Sequence, residues 1–153
     1  MAEVDRGAGV RFPPPLIFLG VVLIGPVIDR LLGLPPLPIP GWLGLVFLIL
    51  GFPLVGIAVG LFRRLGENPV PSTPTEGIID TGIYAYTRNP MYLGMAIVYI
   101  GIAILLASMP SLLLWPLALY LIRTYVIARE ERYLEAKFGA SYVAYKARVG
   151  RWF

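Results

Sequence analysis

Two short segments of the chain combine charged side chains at fixed spacing. In the first, Arg88, Asn89 and Pro90 lead directly into an apolar stretch. A helix starting at Pro90 would present free backbone N–H groups, which favour an anion, beside the Arg88 guanidinium. In the second, the carboxylates of Glu130 and Glu131 follow another apolar stretch. Together the two segments could bind a ligand that carries charges of both signs.

The first segment also fits a purely structural role. Asn89 can be the N-cap of a helix, Pro90 its first residue, and Arg88 a charge that orients it. That interpretation leaves Tyr92 and Gly94 unexplained. The residues alone therefore leave both roles open.

The second segment contains two charges at helical spacing. Arg123 and Glu130 are seven residues apart, so a regular α-helix would place them on one face, about 10 Å apart along its axis. Glu131 is rotated by roughly 100° and can serve a different partner. A solvated face is the alternative, and we prefer it for Arg129 and Arg132. For Arg123, Glu130 and Glu131 we predict a functional role.

The composition indicates a membrane protein. Of the 153 residues 58% are hydrophobic and only 14% are charged, whereas a soluble domain averages about 25% charged residues. Four apolar stretches, at about 15–32, 41–62, 91–107 and 111–127, approach the roughly 20 residues that a helix needs to span a bilayer. We therefore predict an all-α integral membrane protein of one domain, 1–153, with about four transmembrane helices and a cytosolic C-terminal helical extension.

The basic residues predict how these spans are oriented. The two loops on one side, with a tight hairpin expected at 108–111, contain only Asp29 and Arg30 as charged residues. The basic residues that lie outside the four apolar stretches fall on the opposite side: Arg6, Arg11, Arg63, Arg64, Arg88, Arg129, Arg132, Lys137, Lys146, Arg148 and Arg151. The positive-inside rule places that side, with both termini, in the cytoplasm.

Several classes of chemistry are excluded by composition. The chain has no cysteine and no histidine, which removes thiolate nucleophiles, the usual zinc sites and histidine acid–base catalysis. We expect no metal site, and no nucleic-acid binding, because no basic stripe with interleaved aromatics lies outside the membrane borders. No obligate protein partner is predicted. Gly56 and Gly60 form a small-xxx-small pair that is typical of helix packing.

The spacing of the two segments resembles a known family. Arg-Asn-Pro-x-Tyr-x-Gly at 88–94 and Glu-Glu-x-x-Leu-x-x-x-Phe-Gly-x-x-Tyr-x-x-Tyr at 130–145 are similar to motifs of the membrane methyltransferases. That superfamily contains the isoprenylcysteine carboxyl methyltransferases and the phospholipid N-methyltransferases. The resemblance covers about 63–153 and implies that the two motifs enclose S-adenosylmethionine on the cytosolic side. The cofactor-binding residues it implicates are Tyr84, Arg88, Asn89, Pro90, Tyr92, Leu93, Gly94, Glu130 and Glu131.

The resemblance also implies an activity, the transfer of methyl to a lipophilic or lipidated acceptor within membrane lipids. An isoprenylcysteine-like carboxylate is our first choice of acceptor and a lipid amine the second, with Arg123, Glu130 and Tyr92 as the predicted catalytic residues. Prenylcysteine enzymes usually have histidine at the position of Asn89, whereas small prokaryotic relatives commonly have asparagine. The resemblance therefore favours the prokaryotic cytoplasmic (inner) membrane.

Two other functions remain open from the sequence. Sterol- and steroid-reductase-like enzymes that bind NADPH have a related C-terminal region, although they usually have more spans. A non-catalytic membrane subunit is the third interpretation, and it would leave Arg123 and Glu130 without a ligand.

Overall fold

The computed structural model describes residues 7–153, and every regular element in that range is helical. The all-α prediction is thus confirmed, while Arg6, used above for orientation, lies outside the described residues. The helices are α1 (Pro14–Leu32), α2 (Trp42–Arg64), α3 (Pro90–Leu105), α4 (Met109–Leu113), α5 (Trp115–Leu121), α6 (Ala128–Phe138) and α7 (Ala140–Arg148). A 3₁₀ turn (Gly82–Ala85) precedes α3, and a π-helical segment (Ile122–Ile127) joins α5 to α6.

Two of the described helices are long and apolar enough to cross a membrane, by length and composition. They are α1 and α2, with mean hydropathies of 2.0 and 2.7, whereas the apolar α3 is shorter, at 16 residues. The fourth predicted stretch is divided into α4, α5 and the π-helical segment. Pro110 and Pro116 each lie in the first turn of a helix, α4 and α5, where a missing N–H and a fixed φ favour a new helix start over continuation of the previous one.

Helices α2 and α3 pack through glycines at two levels. A Cβ atom built on Gly44 would lie 2.6 Å from the carbonyl oxygen of Gly101, and one on Gly51 would lie 2.8 Å from that of Gly94. Only glycine lets two backbones come this close. Gly56 and Gly60 were also predicted to pack against another helix. That prediction is wrong within the described residues, because a Cβ atom built on either glycine would meet nothing within 4 Å.

Buried hydroxyl groups link α4 to both α1 and α3. The Ser111 hydroxyl donates to the carbonyl oxygen of Val22 at 2.8 Å, and the Tyr99 hydroxyl donates to that of Ser111 at 2.7 Å. Ser108 and Ser111 are fully buried. The segment 108–111, expected as a tight hairpin, follows closely on the end of α3 and begins α4, with Ser108 as its N-cap. These bonds satisfy polar groups that would otherwise destabilise an apolar core.

The chain reverses direction after α6. Gly139 has a φ of 54°, a conformation that costs glycine little, and it lets α7 fold back. Tyr142, Tyr145 and Val149 form one buried face and pack with Leu134 of α6 among others. The reversal brings the residues after α7 to the first turn of α3.

The glycine contacts between α2 and α3 can be tested with a matched pair of variants. Gly51→Ala should lower the free energy of unfolding by about 1–3 kcal/mol, because its Cβ would lie 2.6 Å from the Val98 side chain and force the helices apart. Gly56→Ala, in the same helix, should be neutral or slightly stabilising, because there is room for the methyl group. Thermal unfolding in detergent measures both, and equal melting temperatures for the two variants would show that the close contact is not required.

Candidate functional site

The two motifs meet at one cavity. It has a volume of about 110 Å³ and lies between the segment 68–79, the first turn of α3, and helices α6 and α7. Six of the predicted cofactor-binding residues line it: Tyr84, Arg88, Asn89, Tyr92, Glu130 and Glu131. Pro90, Leu93 and Gly94 belong to α3 but do not line the cavity.

Glu130 and Tyr92 form a hydrogen-bonded pair at the cavity wall. The Tyr92 hydroxyl donates to Glu130 Oε1 at 2.7 Å, and within residues 7–153 this is the one hydrogen bond to that carboxylate. Burial raises the pKa of Glu130 to about 7; the bond from Tyr92 opposes the rise and the neighbouring Glu131 charge adds to it. Because its surface is still partly open, Glu130 can exchange a proton near neutral pH and is available to a ligand.

Glu131 is held very differently from its neighbour. Its Oε1 accepts from Arg151 Nε at 3.0 Å and lies 3.0 Å from Arg88 Nη1, while its Oε2 accepts from Arg151 Nη2 at 2.6 Å. The side chains of Arg88 and Glu131 are only 10% and 11% exposed. Two guanidinium groups thus share one carboxylate, so this cluster keeps a net positive charge beside the cavity.

The C-terminal residues complete this part of the site. Asn89 occupies the N-cap position of α3 as predicted, but its side chain makes no capping bond; its Nδ2 donates to the carbonyl oxygen of Arg151 at 2.9 Å. The backbone N–H of Arg88 donates to the carbonyl oxygen of Gly150 at 3.0 Å. From the sequence, Arg151 was predicted only to be one of the basic residues that set the orientation. The one available signal was the glycine at 139, because a reversal there can return the end of the chain to α3.

Some buried polar atoms at the cavity have no hydrogen-bond partner in the described part of the chain. They include the Tyr84 hydroxyl and Arg88 Nε, and both residues line the cavity. Burial, followed by the Glu130 charge, raises the pKa of Tyr84, so its hydroxyl stays protonated as a donor. Buried donors without acceptors are uncommon in folded proteins, and here they indicate a ligand with acceptor atoms.

The loop of residues 65–81, between α2 and the 3₁₀ turn, covers the cavity, and we call it the covering loop. Its fold depends on Glu67, whose Oε1 accepts from the backbone N–H groups of Glu76 and Gly77 at 2.8 Å each. The backbone N–H of Thr75 donates to the Tyr133 hydroxyl of α6 at 3.3 Å. These polar contacts hold the part of the loop that lies over the site, while Ile78 and Ile79 at its C-terminal end pack into apolar clusters. Local opening is therefore expected of the polar part.

The structure does not bring Arg123 to the cavity. Its side chain is exposed and is not part of the lining, whereas Glu130 is. The predicted shared face assumed a regular α-helix, but Arg123 lies in the π-helical segment. A π-turn contains more residues than an α-turn, so it changes the angular relation between side chains before and after it.

The contrast between the two carboxylates predicts opposite effects of one substitution. A folded-state pKa of about 7 for Glu130, raised from 4.5, means that ionisation above pH 7 opposes folding. Glu130→Gln should therefore raise the free energy of unfolding at pH 8 by as much as about 3 kcal/mol, and the gain should disappear as pH falls from 7 to 4.5.

Glu131→Gln is the matched variant and should lower the free energy of unfolding by about 3–5 kcal/mol, because two partly buried guanidinium groups lose their counter-charge. Thermal unfolding of both variants at pH 5 and pH 8 makes the comparison. Destabilisation by Glu130→Gln at pH 8, or none by Glu131→Gln, would contradict the assignment of the two environments.

The sequence matches known proteins over its central and C-terminal regions. A family profile described as phospholipid methyltransferase matches residues 40–141, well over half of the chain. The protein-S-isoprenylcysteine O-methyltransferase of Schizosaccharomyces pombe is 40% identical over 72 residues, 47% of this chain and 30% of that protein. The protein of the same name from Saccharomyces cerevisiae is 37% identical over 73 residues, 48% of this chain and 30% of that protein.

A bacterial relative is matched over nearly its whole length. It is an uncharacterized protein of Haemophilus influenzae, 37% identical over 62 residues, which are 40% of this chain and 98% of that protein. The chain thus matches about 30% of the length of the two yeast proteins. No solved structure matches it. Given the extent of the family match, which confirms the resemblance of the two motifs, the chain belongs to the phospholipid methyltransferase family.

Proposed function

We propose that the protein is a membrane methyltransferase that uses S-adenosylmethionine and methylates a lipophilic acceptor. The observation that carries this proposal is the Tyr92–Glu130 hydrogen bond of 2.7 Å at a cavity where the two family motifs meet. A carboxylate that is enclosed by protein but ionisable near neutral pH suits a ligand with positive charge. Membership of the family and the names of the yeast relatives support the same activity.

The residues at the cavity fit this methyl donor. When bound, S-adenosylmethionine supplies an electrophilic methyl group on a positively charged sulfur and also carries an ammonium and a carboxylate group. The ionised form of Glu130 would attract the positive groups. Arg88, with the free N–H groups at the start of α3, would attract the carboxylate. Tyr84 has a buried hydroxyl without a partner that can donate to the ligand.

Access to the cavity requires the covering loop to open. At about 110 Å³, the cavity is smaller than the roughly 300–1,000 Å³ of sites that enclose ligands of this size. The bonds that Glu67 accepts and the one from Thr75 to Tyr133 hold the closed form. We infer that this loop moves outward on binding and closes afterwards, which would exclude water from the site.

The chain's own residues determine which acceptors are suitable. A carboxylate acceptor is already a nucleophile at neutral pH and needs no base, so positioning and exclusion of water supply most of the rate. We keep it as first choice because the two yeast relatives are named O-methyltransferases. A lipid amine is the second candidate, since Glu130, with a pKa of about 7, can accept the proton that an amine must lose.

Within a bilayer we propose the predicted orientation. Helices α1 and α2 would cross the membrane, α3 and the helices after Ser108 would complete the bundle, and the cavity would face the cytoplasm of a prokaryotic cell. The basic residues at the cavity end of the bundle, among them Arg63, Arg64 and Arg88, favour this side.

Cysteine labelling tests the orientation cleanly, because the chain has no native cysteine. Met109 is 43% exposed at the end of the bundle opposite the cavity, and Ser72 is exposed in the loop over the cavity. In intact cells, Met109→Cys should react with an impermeant maleimide, and Ser72→Cys should react only after permeabilisation. The reverse pattern would invert the orientation.

The acceptor class can be read from the pH dependence of methyl transfer in wild type and Glu130→Gln. With tritiated S-adenosylmethionine and a farnesylcysteine analogue, the wild-type rate should rise as Glu130 ionises near pH 7 and then level off. Glu130→Gln should be at least about tenfold slower. Its profile should be flat from about pH 6 to 9, because an acceptor carboxylate with a pKa near 4 no longer titrates there.

A lipid amine would behave differently in the same variant. With phosphatidylethanolamine, the residual rate of Glu130→Gln should climb about tenfold per pH unit until the amine has lost its proton. Turnover of phosphatidylethanolamine alone would make the carboxylate choice wrong. An unchanged rate and profile in Glu130→Gln with the farnesylcysteine analogue would remove Glu130 from the mechanism.

A further inference from the structure

A second and larger cavity lies outside the site described above. It has a volume of about 420 Å³ and is bounded by residues 10–12, the start of α1, and the junction of α5 with the π-helical segment. The N-terminal segment separates the two cavities, since Ala8 lines the first and Val10 the second. None of the predicted site residues lines this second cavity, which we call the N-terminal crevice.

The N-terminal crevice has an apolar floor and a basic mouth. Ile17, Leu121 and Val126 supply aliphatic surface. Within the part of the chain that the structure describes, the charged groups of the lining are the guanidinium groups of Arg11 and Arg129. Among residues 7–153, none of those that line the crevice is acidic. Arg129 Nη1 donates to the carbonyl oxygen of Gly9 at 3.2 Å, which leaves the other donors of its planar group available, and Arg11 is exposed.

Aromatic side chains frame the same opening. Phe12 is 69% exposed and Tyr125 is 54% exposed, and both line the crevice. Aromatic and basic residues together are typical of the level of lipid head groups, where an apolar body and a polar partner are both satisfied. A volume of about 420 Å³ also falls within the range of cavities that enclose ligands, roughly 300–1,000 Å³.

We propose that the N-terminal crevice binds an anionic phospholipid, with its phosphate between Arg11 and Arg129 and an acyl chain along Ile17 and Leu121. Guanidinium groups bind phosphate oxygens through paired N–H donors. Free phosphate would leave the apolar floor unused, whereas a phospholipid satisfies both parts. Anionic lipids attract basic residues at the membrane surface, where this end of the bundle would lie.

A lipid bound in the N-terminal crevice would also restrict the motion of the N-terminal segment that lines the first cavity. Arg129 holds the N-terminal segment through Gly9, and the backbone N–H of Ala8 donates to the carbonyl oxygen of Pro71 in the covering loop at 3.0 Å. A phosphate on Arg129 would therefore fix the segment that separates the two cavities. Lipid binding itself does not depend on the proposed methyltransferase activity.

Native mass spectrometry of the full chain in a neutral detergent tests the proposal with phosphatidylglycerol and phosphatidylcholine as probes. The test variants are Arg11→Gln alone and combined with Arg129→Gln; the control is Arg132→Gln, an exposed α6 residue that lines neither cavity. Wild type and control should retain one phosphatidylglycerol at least about tenfold more strongly than phosphatidylcholine. The double variant should lose that preference, since each charge-assisted contact is worth roughly tenfold or more in affinity.

The single variant keeps the test decisive if the double variant does not fold. Arg11→Gln should weaken phosphatidylglycerol retention several-fold with an unchanged melting temperature, because Arg11 is exposed. Equal retention of the two lipids by wild type, or an undiminished preference in folded Arg11→Gln and double variants, would overturn the proposal. Displacement of phosphatidylglycerol by an equimolar fatty acid that is then methylated would also overturn it, and would make the crevice an entrance for acceptors.

Discussion

Two adjacent carboxylates, Glu130 and Glu131, are enclosed by the protein at the start of α6. Within residues 7–153, only one of them is paired with positive charges. Glu131 is shared by Arg88 and Arg151, at distances of 2.6–3.0 Å, whereas Glu130 has only the Tyr92 hydroxyl at 2.7 Å within the described residues. A buried charge without a partner is strongly destabilising. Glu131 has Arg88 beside it, and its second partner, Arg151, reaches it because the C-terminal residues return to α3. Burial raises the pKa of Glu130 to about 7, and the bond from its neutral donor only partly offsets that rise.

The rest of the fold serves to hold these carboxylates against the start of α3. The glycine contacts with α2 fix the position of α3 against that helix, because a side chain at Gly51 or Gly94 would separate the two helices. The reversal at Gly139 returns the chain, and the buried face of α7 secures it against α6. The π-helical segment sets the rotation of α6 relative to α5. An ionisable group in such a rigid, enclosed setting reduces stability at neutral pH, a cost expected where function requires it.

Local features of the site were predictable from the sequence. Asn89 at the start of α3 and the buried face of α7 follow from helix geometry and capping, which involve only near neighbours. Features that depend on distant elements were not. Gly56 looks like a packing residue, but only the neighbouring helix decides which glycines are used. Arg123 does not share the expected face with Glu130, because it lies in a π-helical segment. Arg151 reaches Glu131 only because α7 folds back.

The most direct test of the account is calorimetric binding of S-adenosylmethionine to purified wild type and Glu130→Gln at pH 6 and pH 8, with NADPH titrated in parallel. If the ionised Glu130 holds a positively charged ligand, wild-type affinity should increase about tenfold from pH 6 to pH 8, following ionisation around pH 7. The variant should bind more weakly and equally at both pH values, and NADPH should not bind. Binding of S-adenosylmethionine that is independent of pH and of Glu130, or tight binding of NADPH in its place, would contradict the account.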